Sequence, residues 1–205
     1  MIVTATVLGL DGLPRCRWCS AAPEFHEYHD KEWGFPVADD KRLFEKLCLE
    51  GFQSGLSWRT ILAKRPHFRK VFHEFDFHLL ANFDEQDVVR LLGDRGIVRH
   101  RGKIEAVINN AKKAVDLVAA EGSFAAFVWR FEPVATANGL PQTASTSPEA
   151  VALSKALKQL GWRFVGPTTT YAFMQAMGLI NDHALGCVIR ERVAEQRATF
   201  APPGR

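Results

Sequence analysis

Cysteine and histidine residues near both ends of the chain have the composition of a metal site. Cys16 and His29 lie near the N-terminus, and His183 and Cys187 lie near the C-terminus, separated by three residues. Two thiolates and two imidazoles bind zinc tetrahedrally. The gap of three residues brings His183 and Cys187 to one side of a helix or turn. Cys19 competes as a ligand, because Cys-X-X-Cys pairs are common in zinc sites. Scattered residues that bind no metal are a further alternative, and the residues alone leave all of these open.

A zinc ion held by four protein ligands would have a structural role. Such a site has no open position for water, and here it would join the two ends of the chain. Four cysteines in 205 residues are too few for a disulfide scaffold. Cys48 falls on the apolar face of a predicted helix, and we expect it in the core.

Aromatic residues crowd together in the N-terminal third of the chain. Trp18, Phe25, Tyr28 and Trp33 fall within sixteen residues without helical or strand periodicity, and Trp58 follows. Each of them, taken singly, is typical of an ordinary core. Together, on irregular backbone, they can form a box that stacks on a base turned out of a DNA duplex. The faces of the rings would also attract a cation.

Glu50 is an unusual residue for its position. It comes at the end of the apolar segment Lys-Leu-Cys-Leu-Glu, three residues after Leu47, on the side of the helix that faces the core. A carboxylate there is rare unless it is paired, and near a helix C-terminus it opposes the helix dipole. A solvent-facing Glu50 is the alternative. We expect instead a buried carboxylate that closes a pocket and accepts hydrogen bonds from an exocyclic amine.

A basic, glycine-containing turn separates two amphipathic segments. It runs Arg-Gly-Ile-Val-Arg-His-Arg-Gly-Lys over residues 95–103, and its second helix is predicted to begin near residues 101–103. The free amide groups at that helix start can bind a phosphate without reading base sequence. An ordinary basic turn is the alternative. The residues expected to contact the DNA backbone are Gly96, Arg99, Arg101, Gly102 and Lys103.

Helices must position all of these residues, because helical periodicity dominates the chain. Capping residues and proline or glycine punctuation predict where the helices begin and end. We expect N-caps at Asp39 or Asp40, at Asp84, at Ser123 and at Ser147. We also expect a helix from about Ser57 to Lys64, stopped by Pro66, and a helix from Thr168 to Met177. Residues 132–146 are rich in turn formers and are predicted to be a loop. The expected fold class is all-α.

Composition excludes several classes of protein. A net charge of +3 is far below that of a histone-like polyanion binder, so any DNA contact must come from a local patch. The apolar N-terminal segment MIVTATVLGL is too short for a membrane span and lacks a basic region before it. We therefore expect a cytoplasmic protein with no membrane contact. The predicted organisation is a flexible extension over 1–13, one domain over 14–192 and a tail over 193–205.

Several of these motifs together resemble the 3-methyladenine DNA glycosylase I family. The order of the motifs and their spacing extend from Cys16 to Cys187, over nearly the whole chain. The matching segments are Phe25–Pro36 (FHEYHDKEWGFP), Leu49–Trp58 (LEGFQSGLSW), Gly96–Ile104 (GIVRHRGKI), Phe164–Pro167 (FVGP) and Asn181–Cys187 (NDHALGC).

The resemblance implies a fold, an activity and a set of site residues. The implied fold belongs to the helix-hairpin-helix glycosylase superfamily, with two helical lobes around a base pocket and the termini joined by one structural zinc ion per chain. The implied activity is hydrolysis of the N-glycosidic bond of 3-methyladenine in alkylated double-stranded DNA. A monomer is the default expectation for a repair enzyme of this size. Glu50 matches the base-recognition glutamate of the family. The family's pocket aromatics match Trp18, Tyr28, Trp33 and Trp58, and its zinc ligands match Cys16, His29, His183 and Cys187.

Phe25 is the one departure from the family pattern. The family usually has tyrosine there, so this chain keeps a ring for stacking but lacks one hydroxyl group. We count Phe25 among the base-binding candidates, and its lost hydroxyl keeps a preference for other alkylated purines open. A second alternative is a DNA-binding, damage-sensing protein without catalysis on the same scaffold. The presence of Glu50, Tyr28 and Trp58 favours catalysis over that alternative.

Overall fold

The computed structural model describes residues 5–134 and 140–204, which are mostly helical. The first five helices are α1 (Glu24–Lys31), α2 (Asp40–Gln53), α3 (Trp58–Val71), α4 (Phe77–Leu80) and α5 (Glu85–Gly93). The next five are α6 (Arg101–Glu121), α7 (Phe124–Trp129), α8 (Pro148–Gln159), α9 (Pro167–Ala176) and α10 (Val188–Thr199). Short 3-10 turns cover Arg17–Ala21 and His73–Phe75. The predicted helical fold class is confirmed.

Polar side chains begin the helices where the sequence predicts them. The side chains of Asp39, Ser57, Ser123 and Ser147 each accept a hydrogen bond from a backbone amide of the first helical turn. Asp84 does the same and takes part in a capping box with Asp87. These bonds satisfy amide groups that have no helical acceptor, so each start is encoded locally.

The prediction that Pro66 stops a helix is wrong. Helix α3 runs through Pro66 to Val71. Proline costs one backbone hydrogen bond and crowds the preceding turn. Burial of the Phe68 side chain, which is fully covered in the core, offsets that cost. Tertiary packing therefore decides the length of this helix.

Helical periodicity does not reveal a short hairpin near the N-terminus. Strands β1 (Thr6–Leu8) and β2 (Pro14–Cys16) pair antiparallel, with Thr6 opposite Cys16. Part of the segment expected to be an extension thus pairs with the strand that ends at Cys16. At the other end, α10 continues to Thr199, beyond the predicted boundary at residue 193. The three-part division of the chain stays a prediction.

Helix α2 lies at the centre of the fold. It packs against α3, α6, α7 and α9, while α8 packs on α9 and α4 on α6. Phe44 and Phe52 of α2 are fully buried, and Cys48 is in the core as expected. Within residues 5–134 and 140–204, no helix has the length and apolarity needed to cross a membrane. The described parts of the predicted loop over 132–146 are irregular, and residues 135–139 lie outside the described residues.

Candidate active site

Aromatic side chains from several elements line a pocket beside α2. The pocket has a volume of about 220 Å³. Its lining residues are Trp18, Tyr28, Trp33, Glu50, Gln53, Trp58, Ala172 and Gln175. The ring centroids of Trp18 and Trp33 are 5.1 Å apart, and those of Tyr28 and Trp58 are 5.3 Å apart. The rings therefore form one cluster, as the sequence predicts. The expectation that they lie on irregular backbone is wrong, because Tyr28 lies in α1 and Trp58 begins α3.

The local sequence fixes how these rings reach the pocket. Trp58 is the first residue of α3, directly after the Ser57 cap, so its position follows from the helix start. Trp33 follows the end of α1, where Gly34 adopts φ of 87°. A side chain at Gly34 would place its Cβ 2.7 Å from the His183 ring. Glycine is required there because both the backbone conformation and the close approach exclude a Cβ atom.

Glu50 closes the pocket with a buried carboxyl group, but it is paired. Helix α2 extends three residues beyond Glu50, which is 6% exposed. The Lys46 ammonium group lies 2.7 Å from Glu50 Oε1, and residue Lys46 is 5% exposed. The carboxyl group is therefore buried, as the sequence predicts, and Lys46 is a partner that the sequence analysis did not include. The spacing of four residues between Lys46 and Glu50 is the sequence signal that could have found this pair.

Lys46 also contacts the aromatic residues of the pocket. Its ammonium group donates a hydrogen bond to the Tyr28 hydroxyl at 2.8 Å and lies 3.3 Å from the Trp58 ring centroid. Burial lowers the pKa of Lys46, and the adjacent Glu50 carboxylate opposes that shift. Burial also raises the pKa of Tyr28 well above its usual value, and Glu50 adds to the shift. Tyr28 therefore remains a neutral phenol.

A second cluster joins the two ends of the chain. Potential ligand atoms of Cys16, His29 and Cys187 all lie within 4.8 Å of one another, and all three residues are buried. The Cys187 sulfur is 3.5 Å from His29 Nε2. The hydrogen bond between the two thiols lowers the pKa of Cys187 and raises that of Cys16. This arrangement could hold a metal ion.

His183 lies beside this cluster with a ring nitrogen free. Its ring centroid is 4.9 Å from that of His29, and its buried Nε2 has no hydrogen-bond partner in the described part of the chain. Its Nδ1 lies 3.1 Å from Asn181 Oδ1, just as His29 Nδ1 lies 2.7 Å from Asp30 Oδ1. Such outer contacts orient imidazoles that bind metals. Burial lowers the pKa of His183 to about 4, so the ring is neutral, as a ligand must be.

Cys19 is not part of this cluster. It is a free, buried cysteine, and burial raises the pKa of its thiol to about 11. It ends up in the 3-10 turn after Cys16, whereas β2 and α1 bring Cys16 and His29 together. The structure thus groups Cys16 with His29 and Cys187, the pairing that the family resemblance implies.

The basic turn between α5 and α6 is held by side chains of neighbouring elements. Asp94 accepts hydrogen bonds from the Gly96 amide at 2.7 Å and from His67 Nε2 at 2.9 Å. Lys64 donates to the Arg95 carbonyl oxygen at 3.0 Å. A Cβ atom at Gly96 would overlap the His67 ring. The turn is therefore a fixed hairpin, followed by α6 beginning at residue 101, as predicted.

The predicted DNA-contacting residues of this hairpin differ in position. Arg99 and Arg101 are exposed, and the Arg101 guanidinium lies 2.8 Å from Glu85. Gly102 is half-buried in the first turn of α6. Lys103 is different, because its ammonium group is turned inward and donates to the carbonyl oxygens of Phe52 and Ser54. The Lys103 side chain thus satisfies carbonyl groups at the end of α2.

Comparison with known proteins identifies the family of this chain. A model of the methyladenine glycosylase family matches residues 18–191. The chain belongs to the methyladenine glycosylase family. DNA-3-methyladenine glycosylase 1 of Escherichia coli is 49% identical over 179 residues, which are 85% of this chain and 96% of that protein.

Solved structures of the same family have the same fold. One 3-methyladenine DNA glycosylase I is 46% identical, with a TM-score of 0.79, and the match covers 85% of this chain and 98% of the other. A second, from Staphylococcus aureus, is 35% identical, with a TM-score of 0.77, and covers 83% of this chain and 93% of the other. The study of that protein concerns the structural basis of 3-methyladenine recognition.

Within this glycosylase, the structure brings together four of the five predicted pocket aromatics. Phe25 does not line the pocket and packs against Trp18, with ring centroids 5.8 Å apart. Sequence reasoning missed Lys46, Gln53 and Gln175. Gln175 comes from α9, more than a hundred residues away along the chain, and only tertiary packing brings it to the pocket.

Proposed function

We propose that this chain is a DNA base-excision repair glycosylase that hydrolyses the N-glycosidic bond of 3-methyladenine in alkylated DNA. The single observation that carries the proposal is an aromatic pocket closed by the buried Glu50 carboxylate, in a member of the methyladenine glycosylase family. Two relatives are named DNA-3-methyladenine glycosylases, which supports 3-methyladenine as the substrate base. We propose a two-lobed form of the fold, with α1 to α3 on one side of the pocket and α9 on the other.

The pocket recognises a base that has been turned out of the duplex. The base stacks among Trp58, Tyr28, Trp33 and Trp18, and Glu50 accepts a hydrogen bond from its exocyclic amine. Glu50 Oε1 is engaged by Lys46, so the second carboxylate oxygen serves the base. Phe25 supports Trp18 from behind and contributes to stacking indirectly. Shape and stacking select a flat purine.

The chemistry makes modest demands because the lesion is already activated. Methylation at N3 gives the base a positive charge, so it leaves more readily than normal adenine. As the bond between the sugar carbon and the base breaks, the electron pair stays with the base, which becomes neutral. Water adds to the sugar carbon and releases a proton, leaving an abasic site. We assign no protein side chain as general base for that water.

The hairpin before α6 holds double-stranded DNA by its backbone. Arg99 and Arg101 are exposed there, and the amide groups that begin α6 near Gly102 have no helical acceptor. A helix start of this kind binds a phosphate, and the packing of Gly96 against His67 keeps the hairpin in the shape that this contact needs. The Lys103 side chain is not part of this contact, because it points inward.

One zinc ion per chain joins the two ends of the molecule. Cys16, His29, His183 and Cys187 supply the ligands, since two thiolates and two imidazoles match the preference of zinc. The orphan Nε2 of His183 supports its inclusion as the fourth ligand. Zinc, when bound, supplies structural cross-linking and takes no part in bond cleavage.

Release of free base from methylated duplex DNA tests this function. We expect the wild-type protein to release 3-methyladenine, and Glu50→Gln to lower the single-turnover rate about a hundredfold or more while the fold is kept. Glu27→Gln is the matched control, because Glu27 pairs with Lys31 at the same spacing but in solvent. Wild-type protein that binds damaged DNA without releasing base would instead be a damage sensor. Near-native release of base by E50Q would show that base excision does not depend on the Glu50 carboxylate.

A further inference from the structure

Lys46 is a buried cation within the base pocket of an enzyme whose substrate base is itself a cation. It contacts Glu50 at 2.7 Å, the Tyr28 hydroxyl at 2.8 Å and the Trp58 ring at 3.3 Å from its centroid. Only 5% of the residue is exposed. A buried ammonium group costs free energy unless it is paired, and here a carboxylate, a hydroxyl and an aromatic face all surround it.

The Glu32 carboxylate that faces this pair from a neighbouring element is itself matched by arginine side chains. Glu32, just after α1, receives a two-pronged contact from Arg65 of α3, at 2.6 and 2.7 Å. Arg42 of α2 adds a longer contact of 3.3 Å to Glu32. Lys46 and Glu50 therefore form a neutral pair beside an Arg–Glu group. The pocket does not present an uncompensated negative charge to the base.

Lys46 also limits where the base can stack. An ammonium group 3.3 Å from the centroid of the Trp58 ring must lie over one face of that ring. The base can therefore use only the other face. Lys46 already makes the cation–π contact with the covered face of Trp58, so that face cannot make the same contact with the cationic base.

The charge of the base changes during cleavage, and this gives Lys46 a consequence for the rate. The lesion base carries a positive charge in the substrate and becomes neutral as it keeps the electron pair of the broken bond. A lone carboxylate would stabilise the cationic base more in the substrate than in the transition state, which slows the chemical step. A carboxylate neutralised by an ammonium group keeps its hydrogen-bond acceptor without that penalty.

We propose that Lys46 is a positioning residue that holds Glu50 in place and cancels its charge toward the base, so that the pocket favours departure of the base over retention of the cation. The inference rests on the proposed glycosylase function. It goes beyond that function by separating two properties of Glu50, its hydrogen-bond geometry and its charge. Lys46 controls the second.

Enzyme-excess single-turnover kinetics on methylated duplex DNA test the role of Lys46. Varying the enzyme concentration yields the maximal rate constant for base release and the half-saturating concentration separately. The variants are Lys46→Gln, which keeps an amide donor but no charge, Lys46→Met, which removes both, and Lys46→Arg, which keeps the charge. Lys31→Met is the matched control, because Lys31 forms the same type of pair with Glu27 in solvent.

We expect K46Q and K46M to lower the maximal rate constant about tenfold or more, with a half-saturating concentration that is unchanged or lower. K46R should recover much of the rate, and K31M should match the wild type. A purely structural role would instead lower the melting temperature and worsen both constants together, and K46R would not help.

Two results overturn the inference. One is a maximal rate constant for folded K46Q within about twofold of wild type. The other is a half-saturating concentration that rises as the rate falls. If folded wild-type protein releases no base at all, the glycosylase function itself fails, which is a different outcome from an active wild type with an insensitive Lys46.

Discussion

At the scale of single residues, Lys103 illustrates how a basic side chain in a basic turn can serve the core. Its ammonium group is buried and donates to the carbonyl oxygens of Phe52 and Ser54 at the end of α2. The exposed Arg99, four residues earlier, has a different environment. The two residues look alike in the sequence but should respond differently to substitution.

Replacing Lys103 with Met should lower stability more than it lowers DNA affinity. The change leaves buried carbonyl groups without their donor and should cost about 1–3 kcal/mol of unfolding free energy. Chemical denaturation measures this loss. Fluorescence anisotropy with a DNA duplex, over a range of salt concentrations, measures affinity.

Arg99→Ala is the comparison for this experiment. It should leave the unfolding free energy nearly unchanged, weaken DNA binding and reduce the salt slope by about 1. The assignment of Lys103 to the interior would be contradicted if K103M kept full stability and reduced the salt slope as R99A is expected to do.

At the scale of elements, the hairpin between α5 and α6 depends on a close contact with α3. Gly96 lies against the His67 ring, and Asp94 binds both His67 and the Gly96 amide. The hairpin is thus held by α3, an element about thirty residues earlier in the chain. Its shape is not set by its own glycines alone.

Gly96→Ala should distort this hairpin. The added Cβ overlaps the His67 ring, so His67 must move and lose its contact with Asp94. We expect a loss of about 1–3 kcal/mol of stability and weaker binding to duplex DNA. Thermal unfolding and anisotropy measure the two effects.

Gly93→Ala is the matched control, because a Cβ atom at this last residue of α5 meets nothing within 4 Å. It should change stability by no more than about 1 kcal/mol, in the stabilising direction, since alanine favours helix more than glycine does. Equal effects of G93A and G96A would show that the contact with His67 does not matter for the hairpin.

At the scale of the whole molecule, the cluster of Cys16, His29 and Cys187 connects segments that are far apart in sequence. The N-terminal strand β2 ends at Cys16, and α10 begins directly after Cys187. Phe200, just after α10, packs on Trp129 with ring centroids 4.6 Å apart. The segment around α10 is therefore held at Cys187, before the helix, and at Phe200, after it.

Cys187→Ser should lower thermal stability more than it lowers the rate of base release. We expect the melting temperature to fall by about 5 °C or more, with loss of stoichiometric zinc, because one ligand of the proposed site is gone. The single-turnover rate of the protein that remains folded should stay near that of the wild type. Metal analysis and calorimetry measure the first two effects.

Cys19→Ser provides the control for this prediction. Cys19 is also buried near the N-terminus but lies outside the cluster. C19S should keep its zinc. Loss of zinc in C19S but not in C187S would instead support Cys16 and Cys19 as zinc ligands. Purified wild-type protein without zinc would contradict the proposed zinc site altogether.

The sequence by itself determined the helical fold class, most helix starts and the residue types of the site. Helix starts are local, because a capping side chain and the amides that it satisfies lie within four residues of one another. The grouping of aromatic residues around Glu50 was also visible, since most of them come from one stretch of chain. Family motifs added the choice of Cys16, His29 and Cys187 over Cys19 for the cysteine–histidine cluster.

Only the tertiary structure decided the features that depend on distant neighbours. Packing carried α3 through Pro66, backbone pairing formed the N-terminal hairpin, and burial turned Lys103 inward. Lys46 was visible as a residue four positions before Glu50, yet its charge met Glu50, Tyr28 and Trp58 only when three helices packed together. The physical reason is that burial and pairing of a charge depend on what surrounds it, and local sequence does not specify those surroundings.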